Sequence, residues 1–221
     1  MVRLCKDSDI LRYEPALIGE LHPTNQVLAT GQGGELAGMT FEASAADFVS
    51  AEIEPGNVIY LRSADGVLDG IFEIAAVDSA TQLCVSVLRG DSESDPTAPP
   101  VSGPVTDIFY RVSTLRPQIE TVSLRLTEYF GIRPGRTESD YSAEDILNSD
   151  VICRVCAYGV IASAYATMES NAGEESFREK QLHYEQLFMK GKEGCRLSLD
   201  ANGDNVADSI RFGGCGRLIR D

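Results

Sequence analysis

The residues whose types and spacing suit chemistry best lie in one stretch, 197–211, which reads Leu-Ser-Leu-Asp-Ala-Asn-Gly-Asp-Asn-Val-Ala-Asp-Ser-Ile-Arg. Asp200, Asn202, Asp204 and Asp208 occupy positions 1, 3, 5 and 9 of an EF-hand-type calcium loop, and the Val206 carbonyl falls at position 7. An all-oxygen donor set of this kind suits a hard divalent cation. Position 12, where a bidentate Glu belongs, is Arg211. The spacing therefore implies a weak Ca2+ site, with affinity in the range of about 10⁻⁴ to 10⁻³ M. The same residues also describe an Asx-rich turn, in which Asp and Asn side chains accept hydrogen bonds from their own backbone. Both readings are open at the level of sequence.

Other candidate chemistry is thinner. The six Cys, at 5, 84, 153, 156, 195 and 215, are scattered, and the two His, His22 and His183, are far apart. That pattern argues against a zinc site or a disulfide framework and for reduced thiols. Cys153-x-x-Cys156 has redox spacing, but it sits within a helical run of Val, Ile and Ala, where thiols serve as small apolar residues. The glycine-dense run from Thr30 to Gly38 lacks the Lys-Ser/Thr ending of a phosphate-binding loop, so it reads as turn and hairpin. His183 lies between Leu182 and Tyr184 with no acidic or thiol partner in its vicinity, which suits a packing or surface role. No nucleophile with its base is discernible, and no catalytic residue is assigned. The expectation is a protein that is not an enzyme and requires no cofactor.

Composition sets the class. With 34 acidic against 19 basic residues the chain carries a formal charge of −15, which opposes general binding of nucleic acid. A hydrophobic content of 43% over 221 residues is ample for a core. No apolar run is read as a membrane span and no signal peptide is discerned, so a soluble protein synthesised in the cytoplasm is expected.

The elements that must position these residues follow from periodicity. Residues 7–21 suggest short helical turns interrupted by Pro15, with 1–26 packing on the C-terminal domain. Residues 27–113 read as an inserted β-module, with clear strands near 58–61, 71–77, 83–88 and 107–113 and a proline-rich linker at 90–106. Residues 114–196 read as a helical domain. One helix runs from Leu115 to Phe130, a long and mostly apolar one follows a Ser142 cap, and an antiparallel third carries Phe177, Gln181, Tyr184 and Phe188 on its inner line. Residues 197–221 form the acidic turn and a tail. The expected fold class is α+β, an antiparallel helical bundle with an inserted small antiparallel β-module, barrel or sandwich.

Three stretches carry a family likeness. They are Asp-Ser-Asp-Ile-Leu-Arg-Tyr-Glu-Pro-Ala-Leu at 7–17, the helix Phe-Arg-Glu-Lys-Gln-Leu-His-Tyr-Glu-Gln-Leu-Phe at 177–188 leading to the acidic turn, and the strand meander of 58–88. In these the chain resembles the head-to-tail adaptor (connector or neck) proteins of tailed bacteriophages. The resemblance implies a structural protein of the virion neck, in a homo-oligomeric ring of about 12 copies. Its implied partners are the portal protein and tail or stopper proteins, with DNA passing through unbound. An alternative consistent with the acidic loop is a calcium-dependent protein- or glycan-binding module.

Overall fold

The computed structural model describes residues 2–19, 21, 24–91, 94–132, 141–172 and 175–213. The chain divides into two compact units, one comprising Lys6–Leu115 and the other Met1–Cys5 with Arg116–Asp221.

The first unit is a closed six-stranded barrel. Its strands are β1 (Val27–Ala37), β2 (Thr40–Glu42), β3 (Val58–Ser63), β4 (Asp69–Val77), β5 (Gln82–Ser86) and β6 (Val105–Ser113), in the order β1-β2-β5-β4-β3-β6. All pairings are antiparallel, and β6 pairs with both β3 and β1 to close the cylinder. Period-two alternation divides each strand between core and exterior. Ile59 and Leu61 of β3, Leu83 and Val85 of β5, and Ile108, Tyr110 and Val112 of β6 point inward and are buried. Phe41, Phe48 and Tyr110 fill the centre, with ring centroids 5.4–6.3 Å apart.

Barrel closure overturns the expected fold class. The chain is not a helical bundle carrying a small inserted β-module; the barrel unit takes up about half of the residues and holds its own core. The reason lies in the glycine-dense run. Only its last glycine, Gly38, begins the expected hairpin turn, to β2; the residues before it form most of β1, the 11-residue strand that seals the barrel against β6. A Cβ at Gly34 would stand 2.6 Å from the Phe41 ring, and one at Gly31 would stand 2.7 Å from the Tyr110 hydroxyl. Glycine lets the backbone lie directly on the central rings, and the register shifts between Gly31 and Leu36 bend the strand around them.

Two expected boundaries move as well. The helix α1 (Asp7–Leu11) and the turn at Pro15–Leu17 belong to the barrel unit, so only Met1–Cys5 of the N-terminal segment goes with the C-terminal helices. The proline-rich stretch is also part of the barrel unit, because Val87 N–H donates to the Ala98 carbonyl and Ala98 N–H to Ser86 Oγ. The division between units falls after Leu115.

The second unit contains α2 (Arg116–Tyr129), α3 (Ser149–Ala172), α4 (Glu175–Gly194) and the two-stranded sheet β7 (Arg196–Leu199) and β8 (Ser209–Phe212). α3 supplies the core through Ile152, Val155, Cys156, Ala157, Val160, Ile161, Ala164 and Tyr165. A Cβ at Gly159 would meet Val122 of α2 at 2.8 Å and Phe188 of α4 at 2.9 Å, so this glycine sets how closely both helices approach. Tyr165 packs on Phe177 and Tyr184, while Gly159 meets Phe188, which makes α3 and α4 antiparallel. The window Ser149–Glu169 is long and apolar enough to cross a membrane, contrary to the expectation from the sequence, and half of it is buried inside the protein as in a core helix.

Candidate functional site

The acidic stretch is the loop of a β-hairpin. β7 and β8 pair with Leu197 opposite Arg211 and Leu199 opposite Ser209, leaving residues 200–208 to make the connection. Asn148 extends the far edge of β7, accepting from Ser198 N–H at 2.9 Å and donating to the Arg196 carbonyl at 2.6 Å. Asp200 N–H donates to the Asp145 carbonyl, which fixes where the loop starts.

Within the loop the carboxylates are acceptors for the loop's own amides. Asp200 Oδ1 accepts from Asn202 and Gly203, and its Oδ2 accepts from Asn205 at 2.7 Å. Asn202 Oδ1 takes the Asp204 amide, Asp204 Oδ1 the Val206 amide, and Asp208 Oδ2 the Ala201 amide. This is the Asx ladder that the sequence also allowed. Asn205, in the left-handed region at φ 62°, turns the chain within it.

Among the described residues, no three His, Cys, Asp or Glu side chains converge as metal ligands. Arg211, at the position of the missing Glu, lies in β8 with its guanidinium over the Tyr141 ring. The five candidate ligand positions, Asp200, Asn202, Asp204, Val206 and Asp208, do share one loop, and the structure gives the first three and Asp208 an architectural use.

Asp200 is buried, and burial favours its neutral form. The amides of Gly203, Asn205, Asn202 and Asp204 outweigh that effect and hold its pKa below the ordinary carboxylate value of 3.8. A lowered folded-state pKa means a stabilising contribution that is complete above the unfolded value and lost as pH falls through the folded one. Asp200→Ala is therefore expected to speed amide exchange at Asn202, Gly203 and Asn205 at pH 7. The wild-type hairpin should match the variant only when acidified below pH 3.8. Equal protection in both proteins at pH 7 would contradict the role given to this carboxylate.

Other candidates resolve as follows. His183 is exposed and stacks edge-on against Tyr184. His22 and Cys215 lie outside the described residues. Cys153 is half-buried, while Cys156 is fully buried with its thiol beside Cys5. Burial raises the pKa of the Cys84 and Cys195 thiols, which makes both poor nucleophiles.

The structure also shows a group that the sequence reading passed over. On the outer face of the barrel, Arg111 lies 5.1 Å from the Tyr60 ring centroid and Arg62 lies 5.8 Å from that of Phe109, with Tyr60 donating to Asp69 at 2.8 Å. Tyr60 pairs with Arg111 across β3 and β6, and Arg62 with Phe109. Alternation on each strand was legible, but the cross-strand register that builds this cation–aromatic ladder was not.

The chain matches no family model, no curated protein and no solved structure. Function must be argued from the residues themselves.

Proposed function

We propose that this protein is a non-enzymatic structural component of a tailed-bacteriophage neck, a head-to-tail adaptor that forms a ring between portal and tail. It would be made in the host cytoplasm and reside in the virion, with the portal protein on one side and tail or stopper proteins on the other. The observation that carries the reading furthest is helix α4. None of its 20 residues is buried, and Leu182 and Met189, two turns apart, are exposed. A helix seated on one neighbour with apolar side chains left facing solvent suits a subunit contact, and a heterologous contact of that kind closes into a ring. The charge of −15 supports the same reading, since a channel lined with like charge lets DNA slide without adhering.

Native mass spectrometry and negative-stain microscopy test the proposal. A closed ring is expected, alone or on adding a portal, and Leu182→Glu with Met189→Glu should return it to monomers of unchanged melting temperature. A strict monomer that binds no capsid component removes the proposal. The alternative of a calcium-dependent binding module rests on the spacing of the Asp200 loop; equal melting temperatures in calcium and in chelator remove that alternative.

A further inference from the structure

Two buried thiols meet at the point where the N-terminal segment joins the helices. Cys5 and Cys156 lie with their sulfur atoms 3.2 Å apart, and both side chains are buried. Two further contacts hold the segment in place. Leu4 N–H donates to Ser123 Oγ at 3.0 Å, and that same hydroxyl lies 3.5 Å from Cys156 Sγ. Arg3 reaches Glu120 of the same helix at 3.7 Å. Ser123 thus anchors the segment one residue before Cys5 and touches the thiol that Cys5 faces.

From this geometry we infer that Cys5 and Cys156 form a redox pair, a dithiol that closes to a disulfide when it meets a small-molecule disulfide. Bond formation requires the sulfurs to approach by about 1.2 Å, from 3.2 Å to the length of an S–S bond. Residues 2–5 have no helix or strand of their own, Arg3 is exposed and Val2 and Leu4 are only partly covered, so local lifting exposes Cys5 without opening α3. The Cys5 thiolate attacks one sulfur of the disulfide and expels a thiolate. When the segment reseats, the Cys156 thiolate attacks Cys5 Sγ and expels the second. One protein S–S bond forms and one small-molecule S–S bond breaks. Two electrons pass to the oxidant, and the two protein protons leave on the two released thiols.

The cross-link spans the whole barrel unit in sequence, because residues 6–115 lie between the two cysteines. It fastens the N-terminal segment to the core helix and ties together the chain on either side of the barrel. In a reducing cytoplasm the pair stays open, and in an oxidising medium it locks. This inference does not depend on the proposed role in a phage neck.

The test uses full-length reduced protein incubated with oxidised glutathione at pH 8. Free thiols should fall by two per chain, the intact mass should drop by about 2 Da, and peptide mapping should join Cys5 to Cys156. The melting temperature should rise by about 5–10 °C and return on adding dithiothreitol. Cys5→Ala, placed in the terminal segment, should fold normally and lose both the mass change and the melting shift, whereas Cys84→Ala should keep them. Unchanged thiol content, stable glutathione adducts without the cross-link, or a bond mapped to Cys153 and Cys156 would each overturn the inference.

Discussion

Arg89→Met is expected to destabilise the barrel unit by about 3–5 kcal/mol, lowering its melting temperature by roughly 12–20 °C. Glu73, on β4, is completely buried, and Arg89 meets it through both ends of the guanidinium. Nη2 lies 2.8 Å from Oε1 and Nε lies 3.2 Å from Oε2. The carboxylate raises the Arg89 pKa, first through this hydrogen bonding. Arg89 is itself held in place, since Arg12 Nε donates to its carbonyl and its own Nη1 donates to the Asp95 carbonyl. Methionine retains much of the volume and removes the charge, leaving a carboxylate stranded in the wall of the barrel. Desolvation of an unpaired ion then dominates over any lost packing. The double variant Glu73→Gln, Arg89→Met should recover most of the loss, because the stranded charge has gone. Urea unfolding of the four proteins of this cycle measures the coupling. A cost below about 1 kcal/mol for Arg89→Met would show that the pair behaves as a solvated surface bridge.

Asp7→Ala is expected to cost about 3 kcal/mol, for a different reason. Asp7 opens α1 and is buried, and its carboxylate accepts three hydrogen bonds of 2.8 Å. They come from Asn57 Nδ2 just before β3, and from Thr114 Oγ1 and the Leu115 amide just after β6. One side chain therefore bolts the N-terminal helix to the ends of two neighbouring barrel strands. Removing it takes a charged acceptor from buried donors, and each such bond is worth about 1.5–3 kcal/mol before relaxation. Hydrogen exchange gives the most direct reading: the Leu115 amide should lose protection in Asp7→Ala by a larger factor than amides in the middle of β4. Uniform loss across the barrel would mean global destabilisation without a local bolt. Asp7→Asn should fall between, since one amide oxygen replaces a carboxylate while the new N–H groups face donors.

Both residues show how unevenly the sequence discloses this molecule. The strands near 58–61, 71–77, 83–88 and 107–113 were legible because alternation of β-branched and polar residues is a local property, and β3 to β6 fall there. The helices were legible from their caps and apolar faces: α2 and α4 begin and end within a few residues of expectation, whereas the Ser142 cap opens only the short turn Ala143–Asp145 and α3 starts later, at Ser149. The Asx character of the Asp200 loop was one of two readings that spacing allowed. The glycine-dense run was legible only in part: its hairpin turn falls at Gly38, but the preceding residues are recognisable as strand only when Phe41 and Tyr110 are known to press against them.

Sequence alone determined the net charge, the alternation that marks β3 to β6, and the extents of α2 and α4. Tertiary structure alone decided that the sheet closes into a barrel, that Asp7 reaches Asn57 and Thr114, that Arg89 covers Glu73, and that Cys5 lies against Cys156. The physical reason is that alternation and helical period fix which face of an element is apolar, whereas partners distant in the chain are chosen by strand order and register, which no local pattern encodes.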